Sequence, residues 1–123
     1  MREILFRGKR LDNGEWVYGY LTVDDSRNPG FVIDYLMPKM SCYGQTEVDP
    51  ETVGQYTGLR DKNSERIFEG DIVVFPPSYL EPKGVVIFSH GRFIVRATKT
   101  YILSEFVEVI GNIYDNPELL KGE

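Results

Sequence analysis

The chain has 123 residues, 41% of them hydrophobic and 27% charged, which suits one small globular domain or two β subdomains that share a core. Its formal net charge of -5 argues against a general nucleic-acid binder, because such proteins neutralise phosphates with clustered lysine and arginine. One cysteine excludes an intrachain disulfide, and no apolar run reaches the ~20 residues of a membrane span. We therefore expect a soluble cytoplasmic protein without membrane contact.

The N-terminal half has the pattern of β-hairpins. Ile4 and Phe6 alternate with Leu5 and Arg7, which is the period-two pattern of a half-buried strand. Asn13-Gly14 then separates two β-prone runs and predicts a tight primed turn, since both residues tolerate positive φ. The returning strand, residues 16–23, is rich in aromatic and β-branched side chains. Gly19 within it indicates a bulge or a close approach of a neighbouring backbone.

The next segment gives weaker signals. Residues 24–30 have the turn chemistry of a loop, and residues 31–35 predict a strand. Residues 37–45 show no clear period, so we expect an irregular connection there. Residues 49–52 are turn-like and can open a short helical turn, because Pro50 suits a first helical position.

The C-terminal half gives clearer strand signals. Strands are predicted at 52–59, 67–68, 72–75, 85–88, 93–96 and 106–114. Gly70 and Asp71 predict a sharp corner, in which glycine adopts a left-handed conformation and the carboxylate caps nearby backbone N–H groups. A hairpin turn is expected at 89–92. Asn116 and Pro117 predict a single helical turn as its N-cap and first residue.

Short strands at close spacing, with helix confined to the tail, predict a mainly β fold. Residues 53–123 have the length and hairpin order of a small SH3-like barrel, and residues 1–52 form an N-terminal β-hairpin subdomain. A lone hairpin is marginally stable in water, so its aromatic side chains must pack on the barrel or on another subunit. Trp16, Tyr18 and Tyr20 are therefore the candidate contacts of a homo-oligomer.

Three parts of the chain resemble the YopX-like family of phage and prophage proteins. They are the opening MREILFRG, the central segments VGQYTGL and EGDIV, and the ending VIGNIYDNPELL. The resemblance implies an SH3-like barrel beside an N-terminal oligomerising portion, in the cytoplasm of a host cell, and it implies no activity. The loops at 24–46 and 76–84 carry little or no part of this resemblance and are places where a ligand could be recognised.

Residues suited to catalysis are few. His90 is the only histidine, which excludes a multi-histidine metal site, and we expect it at the tip of a surface turn. Ser89 precedes it, but neighbours on a strand point to opposite faces. Cys42 could be a nucleophile paired with His90, although we expect a thiol without a function. We therefore predict no enzyme, no cofactor, and no catalytic or metal-binding residue.

One local cluster combines cationic and aromatic side chains: Arg92, Arg96, Lys99 and Tyr101, our candidate ligand surface. It keeps single-stranded nucleic acid open as a ligand. Our main hypothesis is a non-enzymatic binding or assembly module, a phage or prophage accessory protein whose partner is a host or phage protein. The alternative is a nucleic-acid-associated module in phage replication or regulation, and a weaker one is an acidic inhibitor that mimics nucleic acid.

Overall fold

A computed structural model of the chain describes residues 3–23, 31–37 and 42–120, with side chains for all of these except 35–37, 42 and 43. Within these ranges the chain consists of antiparallel strands and two single 3-10 turns, which confirms the mainly β class. The strands are β1 (Phe6–Lys9), β2 (Trp16–Val23), β3 (Phe31–Met37), β4 (Cys42–Glu47), β5 (Gly54–Arg60), β6 (Arg66–Phe68), β7 (Asp71–Val74), β8 (Lys83–Ser89), β9 (Arg92–Arg96), β10 (Thr100–Ile102) and β11 (Glu108–Asn112). The 3-10 turns are Pro50–Thr52 and Pro117–Leu120.

The chain divides into two compact units, residues 1–56 and 57–123. The boundary lies inside β5, between Tyr56 and Thr57, whereas the predicted subdomains meet between residues 52 and 53. Each unit has its own cluster of buried hydrophobic side chains.

The first unit is built on a sheet with the strand order β4-β3-β2-β1-β5, and β6 follows β5 at its edge. The internal strand β2 pairs with β1 along residues 16–19 and with β3 along residues 20–23. Val17, Gly19 and Leu21 of β2 face the core of this unit, in the period-two pattern of a strand. That core is the cluster of Val17, Ile33 and Val48, against which Leu21, Phe31 and Val53 pack.

Gly19 lies where β2 passes from β1 to β3. A Cβ atom at this position would lie 1.9 Å from the carbonyl oxygen of Asp34 and 3.1 Å from Cγ2 of Ile33. The predicted close approach of a neighbouring backbone is therefore confirmed, and only glycine has room here.

The second unit contains a five-stranded sheet with the order β10-β9-β8-β7-β11. One face of it carries the larger core, which comprises Ile67, Val73, Phe75, Val86, Val95, Leu103 and Val107. The expected closed SH3-like barrel is not found in the described residues, because neither sheet closes on itself. Near the outer edge of β11, Lys62 N donates to Val107 O at 3.0 Å. A loop thus lies at the edge where a closing strand would pair.

The prediction of an irregular connection at residues 37–45 is wrong for residues 42–45. Cys42–Glu47 form strand β4, which pairs with β3 from Met37 opposite Cys42 to Val32 opposite Glu47. This strand lies at the edge of the sheet and includes Gly44 and Gln45. It is held by its backbone pairing with β3 and has no clear row of buried side chains, which is why the sequence shows no period there. The predicted loop at 24–30 lies outside the described residues.

The turn at Asn13-Gly14 also differs from its prediction. A hairpin is present, but its loop runs from Arg10 to Glu15, whose backbones are joined by a 2.9 Å hydrogen bond. Only Gly14 has positive φ, at 74°, so the predicted primed turn is wrong. Asn13 instead accepts a hydrogen bond from Glu15 N through its side-chain oxygen, at 2.9 Å.

The remaining turns follow the sequence more closely. His90 and Gly91 have φ values of 53° and 84°, which makes the β8–β9 connection a two-residue primed turn. Asp49 caps the first 3-10 turn by accepting a hydrogen bond from Glu51 N at 3.1 Å. The helical turn expected near the C-terminus is present as Pro117–Leu120.

Candidate functional site

The outer face of the first sheet displays a row of aromatic side chains. Tyr18 and Tyr20 on β2 are 46% and 55% exposed, while Val17 and Gly19 between them are buried. Trp16 belongs to the same row by strand alternation and is half-buried. We call Trp16, Tyr18 and Tyr20 the β2 aromatic row. The structure thus brings the three predicted oligomer contacts together on one face.

Two cations of β1 support one end of this row. Arg7 lies opposite Tyr18 and Lys9 opposite Trp16 in the strand register. The guanidinium carbon of Arg7 is 4.6 Å from the centroid of the Trp16 ring, and Lys9 Nζ is 5.5 Å from it, both within cation–π range. Trp16 is therefore held from its own sheet, and the two tyrosines form the more accessible part of the row.

The candidate ligand surface of the second unit is divided between two faces. Arg92 and Arg96 are exposed and point to the same side of β9, and Lys99 is exposed in the turn that follows. Tyr101 pairs with Val95 and therefore faces the core side. The structure keeps the three cations outward but separates Tyr101 from Arg92 and Arg96.

Tyr101 instead belongs to an aromatic cluster beneath the loop at residues 76–82. Its ring centroid is 4.8 Å from that of Phe75 and 5.5 Å from that of Tyr79. The rings of Phe75 and Tyr79 are stacked at 4.9 Å. This cluster anchors the middle of the loop to the second unit.

Glu81 anchors the end of the same loop. Its carboxylate accepts hydrogen bonds from the backbone N–H groups of Thr98 (2.8 Å) and Lys99 (3.1 Å) and from the Tyr101 hydroxyl (2.8 Å). We call this arrangement the Glu81 clamp. Hydrogen bonds from the Thr98 side chain and backbone, together with those from Tyr101 and Lys99, outweigh the opposing effect of desolvation and lower the pKa of Glu81 to about 2.

We expect Glu81→Gln to make the stability of the second unit depend less on pH in the acid range. A carboxylate whose pKa falls from 4.5 to about 2 on folding stabilises the folded state fully above pH 4.5 and loses this effect as the pH approaches 2. Thermal unfolding followed by circular dichroism between pH 2 and 6 measures how the melting temperature changes with pH. Glu118→Gln, at an exposed glutamate, should follow the wild-type curve. Parallel curves for Glu81→Gln and wild type would contradict a stabilising clamp.

The clamped loop presents Leu80 to solvent. This side chain is 95% exposed, although the loop around it is closed by hydrogen bonds from Phe75 N to Pro82 O (2.9 Å) and from Tyr79 N to Pro76 O (3.0 Å). The sequence predicts the loop at 76–84 as a place for recognition but does not single out Leu80. The nearest signal is the pair of side chains that flank it, a tyrosine and a glutamate that both anchor the loop.

Two buried carboxylates have structural roles. Asp71 is 2% exposed and accepts a hydrogen bond from Phe68 N at 2.7 Å, next to Gly70 with φ 94°, which confirms the predicted corner. Asp61 is 5% exposed and accepts hydrogen bonds from the backbone N–H groups of three residues of its own loop and of β11, which the sequence did not indicate. These are Asn63 (2.8 Å), Glu65 (2.9 Å) and Val109 (2.8 Å).

An open cavity of about 310 Å³ lies on the first unit, lined by Leu11, Asp12, Thr46 and Glu47. Leu11 is 58% exposed and supplies its largest apolar side chain. Asp12 is held by Arg10 in a two-pronged ion pair with distances of 3.0 and 2.8 Å. The Arg10 guanidinium lowers the pKa of Asp12, so this carboxylate is charged at neutral pH.

The residues considered for catalysis lie apart from these surfaces. Ser89 Oγ is 2.8 Å from His90 Nδ1, in contrast to the expectation of opposite faces, because His90 lies in the turn and not on the strand. Cys42 begins β4, and its side chain is outside the described set. Among the described residues no group of three or more His, Cys, Asp and Glu side chains could hold a metal ion. No helix in those same ranges has the length and apolar character to cross a membrane.

Comparison with known proteins identifies the family. The model of the YopX protein family matches residues 5–121. The crystal structure of protein EF1440 from Enterococcus faecalis is similar at 26% sequence identity and a TM-score of 0.58, over 98% of this chain and 100% of the other. No curated protein matches the chain. Since the family match extends through both units, the chain belongs to the YopX protein family.

Proposed function

We propose that this protein is a non-enzymatic binding or assembly module of phage or prophage origin, which acts in the cytoplasm of the host cell and self-associates through the β2 aromatic row. The observation that carries the proposal is the exposure of Tyr18 and Tyr20 on an internal strand. Exposed tyrosines on a sheet face are typical of interfaces, because they combine apolar area with a polar tip at little cost in side-chain entropy.

The position of the row favours face-to-face association. β2 pairs with β1 along one half and with β3 along the other, so its backbone is engaged within the sheet. A second copy would therefore contact its side chains. Because the β2 aromatic row belongs to the first unit, we assign the binding of a host or phage protein to the second unit.

The experiment is a mass measurement by light scattering coupled to gel filtration. We expect the wild type to have a multiple of the chain mass of 14.2 kDa, and Tyr18→Ser/Tyr20→Ser to have the mass of one chain. Phe88→Ser is the matched control, because Phe88 is 51% exposed but lies in the second unit. An unchanged mass of the double variant would contradict self-association through this row.

The alternative function is a nucleic-acid-associated module in phage replication or regulation. Arg92 and Arg96 favour it, since both are exposed on one side of β9 and Lys99 is exposed nearby in the chain. The net charge of -5 opposes it. This function requires binding of single-stranded oligonucleotides that weakens steeply with salt, and without such binding the assembly function stands alone.

A further inference from the structure

Strand β10 is an open edge of the second sheet. It stands at the end of the strand order, and within the described ranges no strand pairs with its outer side. The opposite edge is different, because the N–H of Val109 on β11 donates to the Asp61 carboxylate at 2.8 Å. An open edge presents N–H and C=O groups that another extended chain can bond. The described part of this sheet can therefore gain a strand beside β10.

The hydrogen-bond phase of the β9–β10 hairpin determines which groups of β10 point outward. Ala97 N donates to Lys99 O at 2.8 Å, and bonded pairs alternate with non-bonded pairs along an antiparallel ladder. The next bonded residue of β10 is therefore Tyr101. The two-residue turn between β8 and β9 gives the same phase, because it closes on a bonded pair. Thr100 and Ile102 consequently direct their N–H and C=O groups away from β9.

The side chains beside this edge are apolar and cationic on one face. Ile102 is 77% exposed. Thr100 lies directly opposite Arg96 in the register, and residues that lie opposite each other share a face of the sheet. By alternation Ile102 and Arg92 lie on that same face, and both arginines are exposed. The outer face along β10 thus carries an exposed isoleucine beside a strand with two arginines.

The Glu81 clamp orders the turn that leads into β10. Its carboxylate accepts hydrogen bonds from the N–H groups of Thr98 and Lys99 and from the hydroxyl of Tyr101, a side chain on the core-facing side of the sheet. This anionic group is therefore bound to donors of the turn and of the face opposite to the arginines. An edge preceded by a fixed turn loses little conformational entropy when it binds.

We propose that β10 binds an extended acidic segment of a partner protein, which adds to the five-stranded sheet as a further strand. The backbone of the segment bonds to the outward N–H and C=O groups of Thr100 and Ile102. An apolar side chain of the segment lies opposite Ile102. A glutamate opposite Thr100 reaches Arg96 across this short side chain, over two strand spacings or ~10 Å. Binding at β10 rests on the proposed function of the chain as a binding module, and it gives the partner a site in the second unit.

Charge favours this partner over a second copy of the chain. Pairing β10 with β10 of another molecule would place four exposed arginines on one continuous face, two from each chain, and β10 itself has no carboxylate. A single-stranded nucleic acid is attracted by the same arginines, but it has no row of N–H and C=O groups at the spacing of a strand. An acidic peptide satisfies both the edge and the cations.

Hydrogen exchange measured by NMR on the full chain tests this site. The probe is a synthetic peptide with glutamate, valine and glutamate at alternate positions and threonine between them. The amides of Thr100 and Ile102 should exchange quickly in the free protein and slow by about tenfold or more when the peptide binds. The amide of Tyr101, already bonded to β9, should change little. An oligonucleotide that binds the arginines would not produce this alternation.

Two variants separate the contributions of backbone and charge. Ile102→Pro removes an outward N–H but leaves the pairing with β9 in place, since proline is tolerated on an edge strand, and it should abolish binding. Arg96→Glu should weaken binding of the glutamate peptide about tenfold and favour a peptide with lysine in place of glutamate. Arg60→Glu makes the same change of charge at another exposed arginine of the second unit and is the matched control.

Three results would overturn the proposal. They are no binding of the glutamate peptide, binding that leaves the Thr100 and Ile102 amides unprotected, and equal binding of the lysine peptide to the wild type. Protection of these two amides that rises with protein concentration alone would show pairing between copies and would overturn it as well. None of these results bears on self-association through the β2 aromatic row, which the mass measurement tests.

Discussion

Replacing Gly19 with alanine is expected to destabilise the first unit by about 3 kcal/mol or more. The new Cβ would lie 1.9 Å from the carbonyl oxygen of Asp34, far inside van der Waals contact. Since β2 is paired to β1 on one side and to β3 on the other, neither backbone can move without breaking sheet hydrogen bonds. Urea unfolding followed by the fluorescence of Trp16, the only tryptophan of the chain, reports on this unit.

Gly14→Ala is the matched control. Gly14 has a φ of 74°, but no atom lies within 4 Å of a Cβ placed there. Its replacement should therefore cost ~1 kcal/mol, the strain of a left-handed alanine alone. Similar losses for the two alanine variants would show that the contact between β2 and β3 at Gly19 is looser than the structure indicates.

Replacing Asp61 with alanine is expected to destabilise the second unit by roughly 3 kcal/mol, because buried N–H groups lose a charged acceptor. Burial raises the pKa of Asp61, but the N–H groups of Val109, Glu65 and Asn63, with the charge of Lys62, lower it by more. The contribution of this carboxylate is therefore present above its ordinary pKa of 3.8 and is lost as the pH falls further. Urea unfolding followed by circular dichroism at pH 7 measures the loss.

Asp61→Asn separates the contributions of the two carboxylate oxygens of Asp61. Its amide oxygen can still accept from Asn63 and Glu65, while the amide nitrogen replaces the oxygen that accepts from Val109. We expect a smaller loss of stability than with alanine, together with faster hydrogen exchange of the Val109 amide. If Asp61→Ala unfolded at the wild-type urea concentration, the loop would not depend on this carboxylate.

Strand alternation and strand register have different consequences for the two candidate surfaces. The period of β2 correctly placed Trp16, Tyr18 and Tyr20 on one face, because alternation is a local property of a strand. Proximity in sequence grouped Tyr101 with Arg92 and Arg96, but pairing with Val95 turned it toward the core. Register between strands, and not distance along the chain, decides which neighbours share a face.

The sequence by itself determined the mainly β class, most strand positions, the Gly70-Asp71 corner and the family, since these depend on side-chain period, turn chemistry and short motifs. Only the tertiary structure decided that the sheets stay open, that Asp61 joins its loop to β11, and that Leu80 stands exposed on a clamped loop. Those features depend on contacts between residues far apart in the chain. A local pattern tells which side of a strand a residue takes, but the packing of other segments determines whether that side is covered.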